Sequence, residues 1–342
     1  MKKNLLSILK FSLFLSFGLL LLWLASKSLD EQQWQLMLQS LKGVNFGYVA
    51  LSIIAGILSH VIRAMRWKQM IQTFGYQPKL SNTFFAVMIG YLANYVFLRM
   101  GEVMRCGFLA RYDEPPADKL LGSVIAERVV DLMILIVLFA ATILTQYQRL
   151  SNYFLEEIWP GLSAKFEQLF AQGIGVKFLV LLTLAGLAFI AFRLLKRFQF
   201  IQRLKQFVLG MKDGLLSVKN VSNVPLFLVY TLGIWVMYFL MVLLVFYSLA
   251  GTSHLGLSAA LAVLVFGTFG IIAVQGGIGA YHLIVQQVLL LFSIDAATGL
   301  AFGWVSWGVQ TLLIVALGTF SFIALPLFNK KSEGGFFSSV QT

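Results

Sequence analysis

The sequence predicts an all-α polytopic membrane protein, with about six full transmembrane helices and two interrupted helical hairpins. Apolar residues make up 59% of the 342 residues and charged residues only 12%. Soluble domains have about 45–50% and about 25%, so a soluble protein is excluded. The mean hydropathy of +0.85 also excludes a disordered chain, which would be poor in apolar residues. The apolar residues fall into runs long enough to cross a bilayer.

Six of these runs are predicted to span the membrane. The first follows three lysines and lacks a good cleavage site, which favours an uncleaved span over a signal peptide. The second ends in the basic stretch HVIRAMRWK. The six runs are 11–26, 44–62, 120–146, 175–192, 225–250 and 298–325.

Two further apolar stretches, 83–110 and 257–293, are interrupted near their centres by glycine and polar residues. Each is predicted to form a hairpin that dips into the membrane or two short spans. The order span, hairpin, span occurs in 44–146 and again in 225–325, and the two units enter the membrane from opposite sides. This order predicts an inverted repeat, as in many transporters, although apolar helices also resemble one another by chance.

The net charge of +12, from 26 Lys+Arg and 14 Asp+Glu, follows the predicted topology. In a soluble protein such an excess would indicate nucleic acid. Here the strongly basic segments all fall on one side of six spans, which is the positive-inside pattern of cytoplasmic loops. The sequence therefore predicts cytoplasmic termini and no nucleic-acid partner.

The chain is predicted to form a single transmembrane domain, 1–326, followed by a cytoplasmic polar tail, 327–342. A basic cytoplasmic linker, 193–222, separates the two repeat units. Apolar residues recur in the linker at helical spacing, which predicts an amphipathic helix. Such a helix lies in the membrane interface or packs against the bundle.

Six charged residues inside the predicted hairpin and span are the main candidates for function. Each costs about 2.5–3.5 kcal/mol to insert, so such residues seldom face lipid. They either line a cavity for an anionic substrate, where Arg suits phosphate, or form an internal ion-pair network, and the two interpretations are compatible. The six are Arg99, Glu102, Arg105, Glu127, Arg128 and Asp131.

The second hairpin is broken by three glycines, which allow a sharp turn, and carries polar residues at the same point. His282 either moves a proton or is simply hydrogen-bonded. Gln310 in the last span is expected to form an interhelical hydrogen bond. No metal-ligand spacing and no nucleophile–base pair is found in the sequence, so we predict no cofactor and no catalytic residue. The residues of this break are Gln275, Gly276, Gly277, Gly279 and His282.

Four segments, in this order, resemble the transmembrane domain of lysylphosphatidylglycerol synthases: RAMRWKQM, NYVFLRMGEVMRCGFLARY, IAERVVDLMIL and QGGIGAYH. The same domain occurs alone in bacterial and archaeal membrane proteins that are called flippase-like. The resemblance covers roughly residues 5–325. It implies a multi-pass protein of the bacterial cytoplasmic membrane that handles a phospholipid or another lipid-linked anion.

In the fused synthases a separate soluble domain attaches lysine to the lipid, and the membrane domain moves the product across the bilayer. The tail after Pro326 is too short for that domain, so aminoacylation is not expected. Leu98 and Ala273 stand where the family has prolines, and His282 stands where it often has glutamate. The resemblance implies that the polar motif is formed by Asn94, Arg99, Gly101, Glu102, Arg105, Glu127, Arg128, Asp131, Gly276, Gly277 and Gly279.

The sequence therefore predicts a lipid flippase or transporter, and not an enzyme. It would move a phospholipid or another anionic lipid through a polar intramembrane cavity, so its partners are membrane lipids. The alternative is a membrane-embedded transferase for a lipid-linked sugar or phospholipid, with Glu127 or Asp131 as general base. The predicted cavity residues are Asn94, Arg99, Glu102, Arg105, Glu127, Arg128, Asp131, Gln275 and His282, and the predicted hairpin breaks are at Gly101, Gly276, Gly277 and Gly279.

Overall fold

A computed structural model describes residues 16–27, 29–97, 100–171 and 223–329, together with Leu182, Gly186 and Val221. Within these ranges the chain is helical and has no strand, which confirms the predicted all-α class. The helices of the described ranges are α1 (Ser16–Lys27), α2 (Glu31–Lys42), α3 (Phe46–Gln72), α4 (Leu80–Val96), α5 (Gly101–Asp113), α6 (Ala117–Tyr153), α7 (Trp159–Ala171), α8 (Val224–Ser248), α9 (Leu257–Ala273), α10 (Ala280–Leu290) and α11 (Ala296–Phe328).

Polar side chains mark where several of these helices begin. Asp30 accepts from the backbone N–H of Gln33 at 2.8 Å and completes a capping box at the start of α2. Asn45, Asn223 and Asp295 cap α3, α8 and α11 in the same way, by accepting a backbone N–H of the first turn. These three caps fix the starts of three long helices that carry the site.

Four helices are long and apolar enough to cross a membrane: α3, α6, α8 and α11. They correspond to four of the six predicted spans, and the α6 span continues through a π turn, Phe154–Ile158, into α7. The first predicted run is described only from Ser16 onward, where it forms the short apolar helix α1. The run 175–192, nearly all of the linker 193–222 and the tail beyond Asn329 lie outside the described residues.

The two interrupted stretches form pairs of short helices. At 1.5 Å per residue α4 and α5 are about 26 and 20 Å long, and α9 and α10 about 26 and 17 Å. Each is shorter than the roughly 30 Å hydrocarbon core of a bilayer. Phe97 is extended at the first interruption, and a single 3-10 turn, Gln275–Gly277, follows the second pair's first helix. Both predicted interruptions are therefore present.

The two halves of the chain interlock around these hairpins. α3 lies along α8, α4 packs against α11, and α6 packs against α9. Glycines allow close approach, since a Cβ at Gly56 would meet Leu313 and Met241, and one at Gly318 would meet Leu92. The two hairpin interruptions lie next to each other, and the side chain of Gln275 donates to the backbone carbonyl of Asn94.

Candidate functional site

A buried charged network joins α3, α5 and α6, with Glu127 at its centre. Glu127 is completely buried, and its Oε1 accepts hydrogen bonds from Arg63 at 2.5 Å and from Arg66 at 3.0 Å. Its Oε2 accepts from Arg105 at 2.5 Å. One carboxylate of α6 therefore holds guanidinium groups from two neighbouring helices.

Asp131 lies one turn farther along α6 and extends the network toward α8. Its Oδ2 accepts from Arg63 at 2.8 Å, and its Oδ1 lies 2.8 Å from the guanidinium of Arg66. Arg63 also donates to the hydroxyl of Tyr238 in α8, at 3.3 Å. Three guanidiniums meet two carboxylates, so within the described residues the network has one excess positive charge.

Helical spacing brings these side chains together. Arg63 and Arg66 are three residues apart on α3, and Glu127 and Asp131 are four apart on α6, so each pair shares a face of its helix. Arg105 reaches the network from α5 across the ring of the buried Trp67, and its guanidinium carbon lies 4.3 Å from the centre of that ring. This cation–π contact adds to the ion pair because both groups are desolvated.

Arg63 and Arg66, from the basic stretch HVIRAMRWK that ends the second predicted span, are buried in the bundle. α3 continues as a helix to Gln72, and the two arginines are 3% and 0% exposed. A signal for this was present, because both share a helix face with the apolar residue Met70, which is also buried. The sequence pattern favoured an exposed position for both arginines, because basic residues after an apolar run usually flank the membrane.

A second ion pair, between Arg128 and Glu102, is open to a cavity. Nη2 of Arg128 donates to Oε1 of Glu102 at 3.1 Å, and the two side chains are 41% and 29% exposed. The structure thus divides the charges predicted from the sequence into a mostly buried network, which reaches the first cavity at Asp131, and a more accessible pair. Arg99, the sixth predicted charge, lies outside the described residues.

Two neighbouring cavities meet at Arg128. The first has a volume of about 370 Å³ and runs from Arg63 and Asp131 along a mostly apolar wall of α6, α8 and α9. The second has a volume of about 590 Å³ and lies between the two hairpin interruptions. Both volumes are in the range of small-molecule sites, about 300–1,000 Å³. The residues that line both cavities are Tyr91, Arg128, Ile271, Ile272 and Gln310.

Asn94 and Gln275 join the two interruptions at the second cavity. The side-chain oxygen of Asn94 accepts from the backbone N–H of Gly101 at 2.8 Å, which caps the start of α5. The side-chain nitrogen of Gln275 lies 3.2 Å from the carbonyl oxygens of Asn94 and Tyr95 and donates to both. Two residues predicted from the sequence thus connect one hairpin to the other.

The second interruption depends on glycine. Gly276, Gly277 and Gly279 have φ values of 67°, 72° and 75°, in the left-handed region that side chains disfavour. Trp307 of α11 donates from Nε1 to the carbonyl of Gly276 at 2.7 Å and holds the turn. By contrast, Gly101 is the first residue of α5 and stands at the end of the first interruption, where the helix begins.

His282 and Gln310 are placed differently from their predictions. His282 lies behind the cavity wall, with its ring centre 4.5 Å from that of Trp304 and 5.3 Å from that of Trp307. Neither of its nitrogens has a hydrogen-bond partner among the described residues. Gln310, expected to form an interhelical hydrogen bond, instead lines both cavities, and its side chain has no hydrogen bond within the described part.

Replacing Gly101 with alanine tests the close approach of α4 and α5. A Cβ at Gly101 would overlap the carbonyl oxygen of Gly90 and the side chain of Asn94, so we expect a loss of about 1–3 kcal/mol in the free energy of unfolding. Gly107, on the same helix, has open space around it. Gly107→Ala is therefore expected to raise the free energy of unfolding by about 0.5–1 kcal/mol. Unfolding in detergent measures both, and equal shifts would contradict this close approach.

The comparison with known families agrees with these motifs. Residues 7–318 match the family described as the lysylphosphatidylglycerol synthase TM region. The chain belongs to this family. The resemblance predicted from the four segments is thereby confirmed, and so is a membrane-embedded, multi-pass protein. The charged network and both cavities lie within the part of the chain that matches the lysylphosphatidylglycerol synthase TM region.

One relative is the UPF0104 membrane protein MJ1595 of Methanocaldococcus jannaschii. It is 33% identical to this chain over 122 residues, which is 35% of each of the two chains. The match therefore spans about a third of the length of that relative. No solved structure gives a significant match to this member of the lysylphosphatidylglycerol synthase TM region family.

Proposed function

We propose that this chain is a lipid flippase, which moves a phospholipid or another anionic lipid across the bacterial cytoplasmic membrane. The observation that carries the proposal is the position of Arg128, which is 41% exposed where two cavities with mostly apolar walls meet. An anionic lipid likewise places a phosphate beside apolar chains. A guanidinium binds phosphate oxygens through paired hydrogen bonds.

The charge of the surroundings favours an anion. Arg63 lines the first cavity and belongs to the network, which has one excess positive charge within the described residues. A buried, uncompensated cation is costly in a membrane. A lipid phosphate that enters beside Arg128 would therefore offset a charge that the protein itself leaves unbalanced.

The arrangement of helices supports an inverted repeat of 44–146 and 225–325. The order α3, α4, α5, α6 in the first unit is the order α8, α9, α10, α11 in the second. The contact of α4 with α11 has its counterpart in the contact of α9 with α6. In such a repeat, rocking of the two units opens a central site to each side of the membrane in turn.

For the topology, we place both termini and the basic linker 193–222 on the cytoplasmic side. Lys68 near the end of α3 and Lys79 after it lie in a stretch without any acidic residue, even though Arg63 and Arg66 are buried. An excess of basic residues in short loops is the usual mark of the cytoplasmic side.

The geometry favours transport over the alternative of a lipid-linked transferase. A general base must have a free electron pair within reach of the proton that it removes. Both oxygens of Glu127 already accept hydrogen bonds from arginines, and Asp131 is held by two guanidiniums. Glu127 is therefore unavailable as a base in this conformation, and Asp131 is paired with two cations where it lines the first cavity.

The replacement Arg128→Gln tests the proposal. In reconstituted vesicles we expect it to slow the transbilayer movement of fluorescent phosphatidylglycerol by at least about tenfold, the value of one charge-assisted hydrogen bond. Reduction of the label in the outer leaflet by dithionite measures the movement. Arg111→Gln is the matched control, because Arg111 is exposed near the end of α5.

Two outcomes would contradict the proposal. Wild-type protein that moves no lipid faster than empty vesicles, across several headgroups, would exclude a flippase. A rate for Arg128→Gln equal to that for Arg111→Gln would show that the junction of the two cavities is not the lipid path.

A further inference from the structure

We infer that the transported lipid carries a neutral, hydroxyl-rich headgroup, such as a sugar or cyclitol ring, on its phosphate, and that the second cavity binds this ring. The inference rests on the proposed function, which assigns the phosphate to Arg128 and the apolar chain to the first cavity. It is drawn from the charge, the hydrogen-bonding groups and the ring surfaces that line the second cavity.

The charges of the second cavity favour a headgroup that is neutral. Its described lining contains one cation, Arg128, and one anion, Glu102, which pair with each other at 3.1 Å. The described lining therefore carries no net charge, so it has no surplus charge to pair with an ammonium group or with a second phosphate.

The other polar side chains of the lining include three amides. Gln275 has a buried Oε1 without a hydrogen-bond partner among the described residues. Asn94 uses its side-chain oxygen to cap α5, and within the described part its side-chain nitrogen forms no hydrogen bond. The side chain of Gln310 has no hydrogen bond there either. Amides offer donors and acceptors together, which suits hydroxyl groups that also do both.

Three aromatic side chains supply apolar ring surfaces beside these amides: Tyr91, Tyr95 and Trp307. Trp307 is held in place by its hydrogen bond to Gly276, and the hydroxyl of Tyr95 lies 3.3 Å from that of Thr311. Aromatic rings combine a large apolar face with a polar edge. The C–H face of a sugar or cyclitol ring packs on such a surface while its hydroxyl groups reach the amides.

Cavity size agrees with a ring. The second cavity, at about 590 Å³, is larger than the first, at about 370 Å³. A bare phosphate at Arg128 would leave most of the second cavity empty, including its unpartnered amide oxygen. Buried polar groups without partners are costly, so a ligand that reaches them gains affinity.

The first experiment compares headgroups on the unmodified protein. Vesicles contain one of three acyl-labelled fluorescent lipids with the same chains: phosphatidylinositol, phosphatidic acid or phosphatidylethanolamine. We expect phosphatidylinositol to cross fastest, by about three- to tenfold over phosphatidic acid, as one or two added hydrogen bonds would produce. This comparison needs no variant and so does not depend on whether a variant folds.

The second experiment replaces Gln310 with methionine, which keeps the size of the side chain and removes its amide. The ratio of the phosphatidylinositol rate to the phosphatidic acid rate is expected to fall by about three- to tenfold. Gln286→Met is the matched control. Gln286 is buried in α10, lines neither cavity and donates to the backbone carbonyl of Ala296, so its loss should leave the ratio unchanged.

The outcomes separate this inference from the proposed function. If lipids move but phosphatidylinositol is no faster than phosphatidic acid, or if Gln310→Met leaves the ratio unchanged, the headgroup assignment is wrong and the flippase proposal stands. If no lipid moves faster than in empty vesicles, both are wrong.

Discussion

Replacing Glu127 with glutamine is expected to lower the free energy of unfolding by about 3–5 kcal/mol, the usual effect of breaking a buried ion pair. The carboxylate is completely buried and is shared by Arg63, Arg66 and Arg105. Glutamine has the same size, but it removes the charge and turns an N–H₂ group toward guanidinium donors. Arg63 and Arg66 would keep Asp131 as a carboxylate partner, whereas Arg105 would lose its ion pair in the described network.

Unfolding in mixed detergent micelles, followed by tryptophan fluorescence, measures this loss. The matched control is Glu102→Gln, which makes the same chemical change in a pair that is 29% and 41% exposed. An exposed pair contributes about 0–1 kcal/mol, so the control should unfold almost as the wild type does. Similar losses for the two variants would contradict the central place of Glu127.

Replacing Gly279 with alanine is expected to lower the free energy of unfolding by about 2–5 kcal/mol. With a φ of 75°, the residue occupies the left-handed region, where alanine costs about 1–2 kcal/mol. In addition, a Cβ would overlap the carbonyl oxygen of Gly18 in α1 and approach the backbone nitrogen of Leu22. Overpacking of this kind adds about 1–3 kcal/mol, and it would separate α1 from the second hairpin.

Gly308→Ala is the control, since Gly308 lies in the regular helix α11 and has open space around it. Alanine at this position is expected to raise the free energy of unfolding by about 0.5–1 kcal/mol. If Gly279→Ala unfolded at the same detergent concentration as the wild type, the close packing of α1 on the second interruption would be refuted.

These two predictions concern different parts of the site. The network around Glu127 connects α3, α5 and α6 of the first unit, and it also reaches Tyr238 of the second. The turn at Gly279 belongs to the second hairpin and contacts α1. The amide of Gln275 joins the two hairpins with hydrogen bonds and contains no charge. Such a contact is easier to break than the network, as a rocking motion of the two units would require.

Much of the helical framework was predictable from the sequence. The predicted runs 225–250 and 298–325 agree within two or three residues with α8 and α11. The reason is physical: in a membrane each backbone N–H and C=O must be bonded within the segment, so an apolar run of this length becomes a helix. The second interruption was predictable because adjacent glycines favour backbone conformations that a helix does not contain.

The membership of the charged network was only partly predictable. Glu127 and Asp131 were candidates because acids inside an apolar run are costly, whereas Arg63 and Arg66 stood near the end of a run and resembled flanking bases. Their burial depends on the length of α3, which continues as a helix beyond the apolar run to Gln72. The partner Tyr238 comes from α8, far away in the sequence, and no local pattern indicates it.

The sequence by itself determined the all-α class, the two interruptions and the presence of costly charges within the membrane part, because each follows from local hydropathy and backbone freedom. The tertiary structure decided which charges are closed off and which remain accessible. In the folded protein Glu127 is buried among three arginines and Arg128 lies at the junction of the two cavities. His282 packs against Trp304 and is not among the residues that line either cavity. Such choices depend on which helices pack side by side, and the packing of distant segments is not encoded at any single position.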